Sequence, residues 1–320
     1  MKIALIGPGI MEIPPPRWGA VEMVIWDNYN ILKEFGYQVD IINTPNHQTI
    51  VDTVNSNNYD VIHLHYDVFA FLMPYLKAKV KILSSHYPFI EKKEQYSVDG
   101  YDTIINHIIN NKDFYLFASS QKDINTFVSY GADETNTFLC RLGVKCDSYD
   151  YNSNDLYDKT LCFSQIVDRK RQFKIQHIDG IDFVGRLDDS KFVNKKTYLG
   201  EFDRNILNKE ITKYTNFILL SKTENTTPLV VKEALICGLG LVVTEPVAYE
   251  LDLSKPYISI IPEDKINDKQ YIEDTINQNK NISKNMRDEI RNYGISKFDI
   301  KNILLNEYLP KIKQLMEMCR

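Results

Sequence analysis

The feature that most constrains this chain is an alternation of short β-branched runs with longer amphipathic stretches. "KIALI" (2–6), "QVDII" (38–42), "DVIHLH" (60–65), "VKILSS" (80–85), "FYLFAS" (114–119) and "TFLC" (137–140) are strand-sized. Strands that stay apolar on both faces need cover on both faces, and the intervening helices supply it. The expectation is a βαβ order and a parallel, doubly wound sheet. The polar stretch 146–158 breaks the rhythm and reads as a linker. The alternation then restarts with "TLCFS" (160–164), "IDFVG" (181–185), "NFILL" (216–220), "LVVT" (241–244) and "YISII" (257–261). Two Rossmann-like halves are therefore expected, residues 1–150 and 151–298, followed by an amphipathic helix over 299–320. In the first helix Val21, Val24, Ile25, Leu32 and Phe35 keep a helical period, with Gly36 as its C-terminal cap. In the last helix Ile300, Ile303, Leu304, Leu309, Ile312 and Leu315 are the residues available for packing.

Composition narrows the function classes. At 320 residues and 43% hydrophobic content the chain can bury a substantial core. Its net charge of -5 divides into -6 for residues 1–150 (12 Lys+Arg against 18 Asp+Glu) and +1 for the remainder (26 against 25). Neither half carries the positive field that nucleic acid demands. The five cysteines, 140, 146, 162, 237 and 319, are odd in number and lack C-x-x-C spacing, so neither a disulfide framework nor a zinc site is expected. The apolar run at the N-terminus is short for a signal peptide or anchor, and no run reaches about 18 apolar residues. The expectation is a soluble protein in a reducing cytoplasm.

Ligands of such folds bind at the carboxyl ends of strands, so the loops after them are where chemistry is sought. After the first strand, Gly19 and Ala20 open a helix whose bare N–H groups would suit a phosphate, or the proline-rich loop before them is simply a stiff surface turn. His63 and His65 share a strand face and His86 ends the next strand; a metal or strand-end packing would each use them. Arg169, Lys170 and Arg171 follow the first strand of the second half, either as a cationic clamp for a diphosphate or as a solvated turn. In "SKTENTTPLVVKEALICGLGLVVT" (221–244) Thr227 can cap a helix and Pro228 fits its first position. Free N–H groups from Thr226 to Leu229 would then form an anion site, with Glu224 in the loop before it. Glu233 lies one turn inside, as an acceptor for sugar hydroxyls or as a solvated helix residue.

These residues together resemble the retaining glycosyltransferases of family 4, which have the two-domain GT-B fold, and the resemblance spans nearly the whole chain. "PPPRWGAVEMVIWDNYNILKEFGYQVDIINTP" resembles the family's glycine-glycine loop and first helix, with Gly19 at the first glycine and Ala20 replacing the second. "YDVIHLH", "ILSSHYP" and "ASSQKDINTF" follow in the family's order, and His86 matches its donor-side histidine. "FSQIVDRKRQ" resembles the G-R-x-x-x-x-K element, with Lys170 at the diphosphate lysine, Gln165 at the arginine and Ser164 at the glycine. "PLVVKEALICGLGLVVT" resembles the E-x7-E helix, with Glu233 as the second glutamate. Eight residues separate Glu224 from Glu233, so Asn225 stands at the position of the first.

The resemblance implies a GT-B protein, two Rossmann-like doubly wound parallel-sheet domains facing across a cleft, whose last helix crosses back to the first domain. It implies a hexosyltransferase (EC 2.4) that moves a sugar from a nucleotide sugar, such as a UDP- or GDP-sugar, to a glycan, lipid-linked or small-molecule acceptor. The catalytic group would be Lys170, Glu224 and His86. Donor binding would fall to Gly19, Ala20, Arg169, Arg171, Asn225, Thr226, Thr227, Pro228, Leu229 and Glu233. No cofactor and no metal are expected, since no Asp-x-Asp stands where it could hold one beside a diphosphate. For a lipid acceptor the membrane contact would be peripheral and weak, given the -6 charge of the first half. Gln165, Ala20 and the altered glutamate spacing motivate two alternatives: a non-catalytic GT-B subunit that binds sugar nucleotide, and a sugar-nucleotide epimerase on the same fold.

Overall fold

The computed structural model describes residues 1–110, 112–154 and 156–318. Cys319 lies outside them. The chain divides into two compact units, one of residues 1–15, 19–143 and 300–320, the other of residues 16–18 and 144–299. The division after Gly143 precedes the polar stretch expected as a linker. A side chain at Gly143 would lie 2.7 Å from the Ile300 Cα, so the two chain segments that meet there depend on glycine for their close approach.

In the first unit β1 (Lys2–Gly7), α1 (Ala20–Glu34), β2 (Gln38–Asn43), α2 (His47–Ser56), β3 (Val61–Leu64) and β4 (Val80–Leu83) come in order. They are followed by α3 (Lys93–Asp99), α4 (Tyr101–Ile109), β5 (Tyr115–Ala118), α5 (Gln121–Ser129) and β6 (Thr137–Leu139). The six strands form one parallel sheet in the order β2-β1-β3-β4-β5-β6. Ile3, Leu5, Val61, Val80 and Ile82 are buried on one face, and Ala4, Ile6, Ile62, Leu64 and Leu83 on the other. This two-sided burial is why the strands read as unbroken apolar runs. α1 ends in a Schellman turn: Tyr37 N–H donates to Leu32 O at 3.1 Å, and Gly36 adopts φ +83°.

The second unit contains β7 (Tyr157–Phe163), α6 (Gln172–Ile175), β8 (Ile181–Val184), α7 (Arg204–Glu210) and β9 (Tyr214–Leu219). Then come α8 (Leu229–Ile236), β10 (Gly240–Val243), β11 (Ile258–Ile260), α9 (Lys269–Ser283) and α10 (Arg287–Phe298). Its parallel sheet runs β11-β10-β9-β7-β8. α8 and α10 cross closely at Gly294, where a Cβ would come within 2.9 Å of the Ile236 amide.

The chain then returns to the first unit as α11 (Ile300–Ile303), a π-helical turn (Leu304–Tyr308) and α12 (Leu309–Met318), rather than as the single helix the periodicity predicts. Pro310 accounts for the interruption: it lacks an N–H for the carbonyl four residues back, and its ring crowds that carbonyl. All six apolar residues expected to pack there are buried.

Candidate functional site

In the second sheet the chain leaves β7 to one side for β8 and returns on the other side through β9, β10 and β11. The carboxyl ends of β7 and β9 therefore flank the topological switch point, where open parallel sheets bind ligands. Residues 164–170 and 220–224 occupy it. Lys222 N–H donates to Arg169 O at 2.9 Å, which stitches the two loops together. Arg169 Nη1 donates to Ser221 Oγ at 3.2 Å and to Thr223 O at 2.7 Å. The same nitrogen stands 2.5 Å from Glu224 Oε1, an ion pair too bent to be a hydrogen bond. Glu224 is 7% exposed. Lys170 is half-buried in the same field: burial pulls its ammonium below the usual lysine range, the Glu224 carboxylate opposes that, and the Arg169 cation reinforces it. Among the described residues the Lys170 ammonium has no hydrogen bond or ion pair.

Arg171 does not join this group. Its backbone is left-handed, φ +59°, which turns the side chain away from the two residues before it. The guanidinium then grips Glu263 through two hydrogen bonds, at 2.8 and 2.5 Å. Of the two arginines flanking Lys170, Arg169 faces the switch point and Arg171 fastens a loop. Gln165 is exposed and donates to Asp188 at 2.7 Å.

The helix after Glu224 differs from the sequence expectation at its first turn. Pro228 is the residue before the helix, with ψ 147°, and α8 starts at Leu229; Thr227 does not cap it. The anion-binding groups are partly spent within the chain. Thr227 N–H donates to Glu250 Oε2 at 3.2 Å and Thr226 Oγ1 to the same oxygen at 2.6 Å. Lys232, fully buried on α8, places its ammonium 3.3 Å from that oxygen. Glu250 supplies the negative charge that this helix start favours. Asn225 is half-buried and engaged.

Glu233 is not a solvated helix residue. It is 4% exposed, and its Oε1 accepts from Tyr149 Oη and from Arg204 Nη2, both at 2.6 Å. The Arg204 nitrogen also donates to Tyr149 Oη at 2.5 Å, closing a three-membered cluster. Beside the Glu233 carboxylate, burial first and then its charge hold the Tyr149 phenol well above its usual range, so it remains a donor. Glu233 Oε2 is buried and has no hydrogen-bond partner among the described residues.

In the first unit Gly19 precedes α1 at φ +131°, where a side chain would collide with Met11 Sδ at 2.7 Å and Glu22 Oε2 at 2.9 Å. Ala20 is the first helical residue. The Glu22 carboxylate thus folds over this helix start, and its burial raises its pKa. Both helix N-termini that the sequence offers to phosphate carry a carboxylate of the chain itself, Glu22 at α1 and Glu250 at α8. His65 and His86 stack with ring centroids 5.8 Å apart, and His63 lies 3.8 Å from His65. The His65 and His86 rings lie face to face and His63 is tilted against His65, and among the described residues no group of three His, Cys, Asp or Glu side chains is placed to hold a metal. Burial lowers the pKa of His86 to about 4 and of His63 to about 3, so both rings are neutral near pH 7. His86 Nε2 and both His65 ring nitrogens are buried without partners.

The structure thus brings Arg169, Lys170 and Glu224 together and ties Glu233 to residues that sequence reasoning passed over: Tyr149 and Arg204, with Glu250 and Lys232 close by in the chain. Only Arg204 left a signal. It opens α7, and a cation at a helix N-terminus works against the dipole unless something else holds it there.

No model of a protein family matches the sequence, and no curated protein matches it significantly. Solved structures do match. A sucrose-phosphate synthase from Thermosynechococcus elongatus superimposes with a TM-score of 0.78 at 13% identity over 100% of both chains. HepE of Anabaena, in complex with UDP-glucose, gives 0.70 at 16% identity over 99% of each. AviGT4, a glycosyltransferase involved in avilamycin A biosynthesis, gives 0.72 at 14% identity over 99% of this chain and 98% of that one. These likenesses establish the fold as GT-B, with two Rossmann-like parallel sheets of six and five strands. Among the described residues no helix is long and apolar enough to cross a membrane.

Proposed function

We propose that the chain is a glycosyltransferase that moves a sugar from a nucleotide-sugar donor to a glycan, lipid-linked or small-molecule acceptor, with retention of configuration and without a metal ion. The observation that carries this reading is the Lys170 ammonium, unpartnered and half-buried at the switch point of a GT-B sheet, with Glu224 beside it. A half-buried cation with no hydrogen bond or ion pair among the described residues is only partly offset by the nearby Glu224 charge, and a ligand that brings negative charge makes it favourable. A nucleoside diphosphate brings that charge, and HepE is a GT-B protein solved with one bound as UDP-glucose.

In the proposed reaction the bond between the anomeric carbon and the diphosphate oxygen breaks first, leaving positive charge on the sugar. Lys170 neutralises the charge that grows on the departing diphosphate, the kind of preorganised electrostatic help that usually dominates catalysis. The acceptor oxygen bonds to the same face of the anomeric carbon, and its proton passes to the leaving phosphate oxygen, so no protein nucleophile is used. Glu224, held by Arg169, orients the donor sugar, and Glu233 accepts from the ribose hydroxyls.

The test is donor turnover. The protein is incubated with UDP-, GDP- and ADP-hexoses and a panel of sugar and lipid-linked acceptors, and released nucleoside diphosphate and the product anomer are read. Release with retained configuration is expected. Inversion would refute retention, a product still joined to nucleotide would make the chain an epimerase, and tight donor binding with no turnover would make it a binding subunit.

A further inference from the structure

The cluster around Glu233 gives its two carboxylate oxygens different fates. Oε1 is saturated: the Tyr149 hydroxyl and Arg204 Nη2 both reach it at 2.6 Å. Oε2 is equally buried and has no partner. A buried acceptor with no partner in the chain carries a penalty, which a ligand that donates to it relieves. Arg204 opens α7 at the end of the helix dipole that repels cations, and the Asp203 side chain already caps that helix by accepting from Ile206 N–H at 2.9 Å. The helix therefore gains nothing from an arginine at this position. Its guanidinium is accounted for by Glu233.

We propose that Arg204 and Tyr149 are positioning residues for donor recognition: they hold the Glu233 carboxylate with Oε1 occupied and Oε2 presented as the single acceptor for a ribose hydroxyl. This rests on the nucleotide-sugar reading above. Arg204 supplies the positive charge that holds a 4%-exposed carboxylate in place rather than letting it turn toward water. Tyr149 fixes the rotation of the carboxylate, so that Oε2 and not Oε1 remains open. Discrimination between ribose and deoxyribose, made by Glu233, then depends on two residues that never touch the sugar.

The experiment is a calorimetric titration of the intact chain with UDP, GDP, ADP and CDP, each beside its 2′-deoxy and 3′-deoxy counterparts. A hydrogen bond to a charged acceptor makes the wild type prefer the ribose form of its best ligand over one deoxy form by roughly 10- to 100-fold. In Arg204→Gln that ratio falls to near one, while affinity for inorganic diphosphate is unchanged. Tyr149→Phe, which keeps the ring packed, lowers the ratio in the same direction and answers the question if Arg204→Gln does not fold. A ribose preference that survives both substitutions overturns the inference, and so does a wild type that binds nucleoside diphosphates with no ribose preference; the proposed sugar transfer stands in both cases, and in the second only the ribose contact of Glu233 falls with the inference. A wild type that binds no nucleotide removes the proposed function and the inference together.

Discussion

Glu250 and Lys232 allow a stability prediction worked directly from the structure. The Lys232 ammonium is 0% exposed and stands 3.3 Å from Glu250 Oε2. At an effective dielectric constant of about 20 two unit charges at that separation attract by about 5 kcal/mol. Part of this is returned on removing the carboxylate, because Glu250 no longer has to be desolvated, and breaking a buried pair from one side typically destabilises by about 3–5 kcal/mol. Glu250→Gln keeps an oxygen for the Thr226 hydroxyl and the Thr227 N–H, so it isolates the charge. The Phe298 ring, 4.9 Å from the ammonium, retains some attraction, which favours the lower end of the range. A loss of about 3 kcal/mol in a unit of this size lowers its melting temperature by roughly 6–12 °C, read by scanning calorimetry. Combining it with Lys232→Met removes the buried cation that has lost its Glu250 charge, and the double variant should melt above Glu250→Gln alone. A Glu250→Gln variant within 2 °C of wild type, or a double variant melting below it, would refute the assignment of Glu250 as the counter-ion that anchors the start of α8.

Three further outcomes are expected. Glu224→Gln and Glu233→Gln each lower kcat/KM for the donor by roughly 10- to 100-fold, the scale of a hydrogen bond to a charged group, while Asn225→Ala stays within about threefold; the opposite ranking would place Asn225 at the sugar. His86, whose pKa burial lowers to about 4, should show no titration near pH 6.5 by NMR of its ring carbons. Between pH 6.5 and about 4 the unfolded histidine takes up a proton that the folded one refuses, so stability is lost as pH falls, by up to about 1.4 kcal/mol per pH unit, and His86→Gln should flatten that slope. A wild-type slope unchanged in the variant would show that His86 is not the source. Donor turnover should survive EDTA; complete loss restored by one divalent ion would contradict the metal-free scheme.

The parts of this molecule legible in its sequence are those that burial writes locally. Among the described residues all eleven strands lie within three residues of their apolar runs, because a strand covered on both faces cannot hide its composition. Gly36 was legible as the cap of α1 because a left-handed residue there favours glycine. Pro310 shows that a periodic apolar face can persist through a change of helix type. The side-chain pairings were not legible. Arg204 meets Glu233 across 29 positions, Tyr149 meets it across 84, and Arg171 finds Glu263 across 92, distances over which residue order carries no geometry. The start of α8 read as an open phosphate site for the same reason, since Glu250 reaches it across 23 positions, whereas Glu22, in the first turn of α1, is a local signal that sequence reasoning passed over.

The central claim is that the unpartnered Lys170 ammonium receives the diphosphate of a nucleotide sugar. Its most direct test is the donor kcat/KM of Lys170→Ala beside wild type, with calorimetry to establish that the variant is folded. Loss of one preorganised electrostatic donor predicts a fall of about 10²–10³ with a melting temperature at or above that of wild type, since the variant removes a half-buried cation that has no hydrogen bond or ion pair among the described residues. Near-normal turnover in a folded Lys170→Ala variant would contradict the account.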